Sequence, residues 1–99
     1  MKLIFSKNEL LKGINIVMKA VSSRTTLPIL KCILIDARTD EILLFANDME
    51  LAITTKTEGT IEERGCIALD AKIFSEIIRK LPDGDIIITT DERLTASIS

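Results

Sequence analysis

Ser22-Ser23-Arg24-Thr25-Thr26-Leu27-Pro28-Ile29-Leu30 separates two kinds of hydrophobic pattern. Before it, apolar residues recur at a helical period; after it, they run as they do in strands. Pro28 drives Leu27 out of helical geometry, so the chain changes layer here. Arg24 is the stretch's single charge.

Working back from this stretch, the spacing predicts a helix over Lys7 to Val21. Ser6 reads as its N-cap and Glu9, three residues on, as the partner in a capping box. Leu10, Ile14, Val17 and Val21 share one face. The opposite side is a narrow stripe of Asn8, Lys12, Asn15 and Lys19. Lys2 to Phe5, in front of the helix, reads as a strand.

Working forward, strands are expected over the residues that follow Pro28 through Asp36, over Glu41 to Asn47 and over Glu50 to Glu58. Gly59 to Arg64 reads as a charged loop, and Cys66 to Leu69 as a strand running into the cap Asp70. A second helix over Asp70 to Leu81 puts Ile73, Phe74, Ile77, Ile78 and Leu81 on one side, and Lys72, Ser75, Glu76, Arg79 and Lys80 on the other. Pro82 stops it, Asp83-Gly84 is a turn signal, and strands follow over Asp85 to Thr90 and Leu94 to Ser99.

Sliding the start by 64 residues superimposes the halves: Leu3 on Ile67, cap Ser6 on cap Asp70, and Leu10, Ile14 and Val17 on Phe74, Ile78 and Leu81. Repeat one covers about 1–64 and repeat two about 65–99. The expected class is α+β, two strand-helix-strand repeats with the helices on one face of antiparallel sheets. Only two strands follow the second helix, so the second repeat is expected to lack its last strand, as in a truncated chain.

The 99 residues suit one small domain. No apolar stretch nears the roughly 20 residues of a membrane span, and no basic segment leads into an apolar run at the N-terminus, so no membrane partner and a cytoplasmic location are expected. The sequence has no histidine, which removes Ser-His and Cys-His catalytic pairs and His-bearing zinc sites. Cys32 and Cys66 read as buried strand cysteines, and Phe5, Phe45 and Phe74 as core; no aromatic platform for stacking bases is evident. Asp48 and Glu50 are two carboxylates at i, i+2, better suited to capping a bend than to catalysis or metal binding. Catalytic residues, metal and cofactor are all expected to be none.

The net charge of −2 hides a division. The two helices carry six cations against three anions, Arg24 adds one cation, and the remainder carries six cations against twelve anions. Cations gather on helices and anions on strands and turns.

Met1-Lys2-Leu3 with Leu10-Leu11-Lys12, the run Arg24-x-Thr26-Leu27-Pro28-Ile29-Leu30, the Asp48-x-Glu50 pair, and Phe74-x-x-Ile77 running into Arg79-x-Leu81-Pro82 resemble the start of the bacterial sliding clamp, the beta subunit of DNA polymerase III. The first of its three similar domains is covered, and incompletely. The resemblance implies a DNA-clamp fold in a non-catalytic processivity factor that tethers the replicative polymerase to duplex DNA without sequence preference. Two subunits, a homodimer, would close into a ring with sheets outside and helices lining the channel. Polymerase and clamp loader would bind through later domains. Arg24 then becomes a phosphate contact at the channel edge, with Lys12, Asn15, Lys19, Lys72 and Arg79 facing the DNA. The alternative is a protein-interaction domain docking partners through sheet edges or apolar faces, with incidental helix cations.

Overall fold

Two side-chain caps turn strand into helix where the sequence marks them. Ser6 ends a strand in extended conformation, and its hydroxyl accepts from the Glu9 amide. The Asp70 carboxylate accepts from the Ile73 amide at 3.0 Å, satisfying a donor that the first helical turn leaves unpaired.

The computed structural model describes residues 1–21, 28–48, 51–90 and 96–98. Among them the order is β1 (Lys2–Ser6), α1 (Lys7–Val17), β2 (Cys32–Ala37), β3 (Ile42–Asn47), β4 (Ala52–Thr57), β5 (Thr60–Glu63), β6 (Gly65–Asp70), α2 (Ala71–Lys80), β7 (Asp85–Thr90) and β8 (Ala96–Ile98). Met18–Ala20 and Pro28–Lys31 form 3₁₀ turns.

The strands make two four-stranded sheets, ordered β5-β1-β7-β8 and β4-β3-β2-β6, with antiparallel pairing throughout. Each strand-helix unit crosses between them: β1 lies in one sheet and α1 delivers the chain to β2 in the other, while β6 and α2 make the reverse passage to β7. The repeating order therefore stitches the sheets together. One contiguous core joins their inner faces, with Leu3, Phe5, Ile86 and Ile88 from the first sheet and Ile33, Ile35, Ile42, Leu44 and Ile67 from the second. Leu10, Ile14 and Val17 of α1 and Phe74 and Ile78 of α2 complete it.

Several expectations need correction. The chain from Thr60 to Glu63 is a strand, not a loop, because β1 has a free edge there: Leu3 stands opposite Ile61. Pairing outweighs the charged local composition. Gly59 lets the chain pass from β4 to β5, since a Cβ there would lie 2.8 Å from the Ile4 carbonyl oxygen.

The first helix ends at Val17 and tightens into a 3₁₀ turn that buries Ala20, short of Val21. Strand begins at Cys32, after the turn opened by Pro28, whose fixed φ and missing N–H suit a 3₁₀ start. Of the decisive stretch, residues 22–27 lie outside the described residues.

Cys32, Cys66 and Phe45 are half-buried on the outer face of the second sheet and not in the core. Cys32 and Phe45 line a hollow there of about 190 Å³ with Leu30, Leu34, Ala46, Asn47 and Ala68. Alternation explains the error: β2 buries Ile33, Ile35 and Ala37, so Cys32, Leu34 and Asp36 point the other way.

Candidate nucleic-acid interface

The outer face of α1 carries the polar stripe expected from its period. Asn8, Lys12 and Asn15, with Lys19 on the following 3₁₀ turn, line a shallow open groove with Leu11 and Ile16. Burial of Leu10, Gly13, Ile14 and Val17 on the other side fixes this orientation. Gly13 brings the helix close to β4: a Cβ there would lie 2.6 Å from Thr57 Oγ1 and 2.9 Å from Leu44 Cδ1.

On α2 the buried residues are Ala71, Phe74, Ser75 and Ile78. The helical period then sorts the exposed positions into two flanks. Lys72, Glu76 and Arg79 form one, and Ile73, Ile77 and Lys80 the other. The first flank faces α1, because Arg79 Nη2 donates to Asn15 Oδ1 at 2.8 Å. That contact brings Arg79 into the same surface as Lys12, Asn15 and Lys19, and Lys72 extends the flank two turns back. Arg24 lies outside the described residues.

Charge pairing separates the outward helix cations from most of the sheet and turn cations, Lys31 on the turn after Pro28 being the exception among the described residues. Four sheet and turn cations have carboxylate partners: Lys2 with Glu62 at 3.1 Å, Arg38 with Asp36 at 2.9 Å, Lys56 with Glu41 at 3.5 Å and Arg64 with Asp40 at 2.6 Å. Among the described residues, Lys12, Lys19, Lys72, Arg79 and Lys80 make no ion pair. The local pairing of Glu76 with Lys72 or Lys80 that the sequence allows does not form.

Lys7 is the helix cation whose place the sequence did not reveal. Its side chain is 14% exposed and lies 3.9 Å from Asp83. It donates to the carbonyl oxygens of Leu81 and Arg79. It therefore caps the C-terminal end of α2, where the helix dipole favours a cation. The Lys7 amide adds a hydrogen bond to the Gly84 carbonyl at 2.9 Å.

Asp48 caps its bend: the Leu51 amide donates to its carboxylate at 2.6 Å. Glu50 lies outside the described residues. Asp36, bridged by Arg38, has its carboxyl held below the ordinary value of 3.8 by that hydrogen bond. Burial raises both thiols above 9.0, with Asp70 adding to the effect at Cys32 and Asp36 at Cys66. Among the described residues no group of three or more His, Cys, Asp or Glu side chains is placed to hold a metal ion, and no helix is long and apolar enough to cross a membrane.

Two antiparallel sheets carrying two helices with outward cations define the class, an α+β domain of the sliding-clamp kind. A crystal structure from Eubacterium rectale, assigned as a DNA polymerase III beta subunit, matches the whole chain with a TM-score of 0.98 and 68% identity over 27% of its own length. The beta sliding clamp of Bacillus subtilis is 43% identical over 90 residues, covering 83% of this chain and 24% of the relative. That of a Synechocystis species is 39% identical over 93 residues, 92% of this chain and 24% of the relative. Residues 1–99 match the family model of the DNA polymerase III beta subunit, N-terminal domain. The chain belongs to that family, and it spans about a quarter of the length of these curated relatives.

Proposed function

We propose that residues 1–99 act as the N-terminal domain of a ring-forming DNA sliding clamp, with halves of about 1–64 and 65–99. On this reading the protein is a non-catalytic, cytoplasmic accessory subunit that keeps a replicative polymerase on duplex DNA. Polymerase and clamp loader bind through other domains of the ring. The observation that carries the reading is the pairing contrast: among the described residues the outward helix cations have no carboxylate partner, whereas every described sheet and turn cation except Lys31 has one. Unpaired cations exchange condensed counterions for phosphate contact and read no base edge, which suits a slider. Paired charges on the sheets leave the outside with little attraction for DNA.

A homodimer follows from the same reading. Ile73 and Ile77, 59% and 40% exposed, give α2 an apolar flank turned away from α1. The second subunit of a head-to-tail ring is the partner we infer for it.

Fluorescence anisotropy of labelled duplexes of unrelated sequence, read across a salt series, tests the DNA contacts. Substituting Lys12, Lys19, Lys72, Arg79 or Arg24 by Ala weakens binding equally for every sequence and lowers the salt slope by about 0.9 per charge. Lys56→Ala and Arg64→Ala leave both unchanged. Slopes that respond to the second set and not the first would remove the helix face as the DNA surface.

A further inference from the structure

Asn15 stands on the DNA-facing stripe, and its carbonyl oxygen is already engaged by Arg79 Nη2 at 2.8 Å. We propose that Asn15 is a positioning residue: it holds the Arg79 guanidinium at the seam between α1 and α2 and leaves the phosphate contact to that guanidinium. The assignment rests on the channel reading above and refines the DNA-facing role that the resemblance implies for Asn15.

The chemistry of the pair carries the inference. A guanidinium has five N–H donors in a fixed fork. One hydrogen bond to a neutral amide fixes the fork's orientation and keeps its remaining donors and its full charge. A carboxylate here would bind more firmly but cancel the charge that displaces counterions. Glu76, three residues before Arg79, is placed to do so, yet no ion pair forms between them.

The placement is equally specific. Asn15 and Arg79 are separated by 64 residues, the offset that superimposes the two halves. Each is thus the other's counterpart, and they meet where the two helices touch. A long cation on one helix finds a short acceptor on the other, so its support comes from across the seam and not from its own helix.

A double-mutant cycle on the chain, with a labelled duplex as probe, tests this. Asn15→Ala lowers affinity several-fold in the unsubstituted background and by less than about twofold when Arg79→Ala is present. Without DNA, ¹⁵N relaxation of the Arg79 Nε–H group shows greater mobility in Asn15→Ala. Asn15→Asp restores order but weakens binding and reduces the salt slope by about one charge. An equal loss from Asn15→Ala in both backgrounds makes Asn15 a direct contact and overturns the proposal, as does an Arg79 side chain whose mobility is unmoved by Asn15→Ala. If Lys12→Ala and Lys19→Ala also leave binding and its salt slope unchanged, the channel reading itself fails and the proposal falls with it. If those two weaken binding, only the positioning role is lost.

Discussion

Thr57 Oγ1 occupies the space into which a side chain at Gly13 would project, 2.6 Å from where its Cβ would sit. Thr57 is buried, and among the described residues its hydroxyl has no hydrogen-bond partner. The absence of a side chain at Gly13 thus sets how closely α1 approaches β4, and with it the height of the Lys12 and Lys19 stripe above the sheets.

Gly13→Ala is therefore expected to destabilise the chain by about 1–3 kcal/mol through overpacking, against a helix-propensity gain of roughly 1 kcal/mol. Urea denaturation measures the balance. Adding Thr57→Ala opens the blocked space and recovers most of the loss, so the two changes are non-additive. A Gly13→Ala variant as stable as the parent would show that the helix can lift without cost.

Lys7 gives a second expectation, because its ammonium satisfies carbonyl groups at the end of α2 from the start of α1. Lys7→Met keeps the aliphatic stem and removes those bonds, at a cost of about 1–2 kcal/mol. Lys12→Met, on the exposed stripe, changes stability by less than about 0.5 kcal/mol. Equal effects at the two positions would deny Lys7 its capping role.

These two residues also mark what the sequence could and could not reveal. Caps, helical periods and strand alternation act over a few residues, so Ser6, Asp70 and the core of α1 were legible from local pattern. On α2 the period grouped Ile73 and Ile77 with the buried side and Ser75 with the exposed one, whereas the structure exposes the first two and buries the third. Lys7 looked like any helix cation, since its acceptors are 74 and 72 residues away. Thr60–Glu63 looked like a loop for the same reason: its strand character comes from β1, far off in the chain. At Cys32 the residue type favoured the core, but the parity of β2, fixed by Ile33 and Ile35, decided otherwise. The stripe of Lys12, Asn15 and Lys19 was readable on one helix. Its meeting with Arg79 needed the fold.

Asp36 carries a pH expectation. Its carboxyl, lowered from 3.8 by the Arg38 hydrogen bond, binds protons less readily folded than unfolded. Its contribution to stability is present above the unfolded value and is lost as pH falls through the lowered folded one. Arg38→Ala should move the Asp36 titration, followed by carboxyl ¹³C shifts, back toward the ordinary value. Cys66 runs the other way. Its raised thiol pKa leaves the folded state neutral where the unfolded thiol ionises, so stability falls as pH climbs from about 9 through the folded value. Asp36→Asn should lower the Cys66 value, seen as faster alkylation at pH 8, and an unchanged rate would rule out their coupling.

Ile77 stands 64 residues after Gly13, and the two corresponding flanks are treated in opposite ways. On α1 this flank packs against Thr57 and Leu44. On α2 it remains open, with Ile73 59% exposed. A water-facing β-branched pair contributes little to the fold, so Ile73→Lys with Ile77→Lys should change stability by less than about 0.5 kcal/mol per site. If the flank is an association surface, the double substitution lowers the binding of a hydrophobic dye and removes any concentration-dependent rise in sedimentation coefficient. Lys72→Ala, on the flank facing α1, leaves both unchanged. A stability loss of several kcal/mol, with dye binding unaltered, would instead make Ile73 and Ile77 part of the domain's own packing.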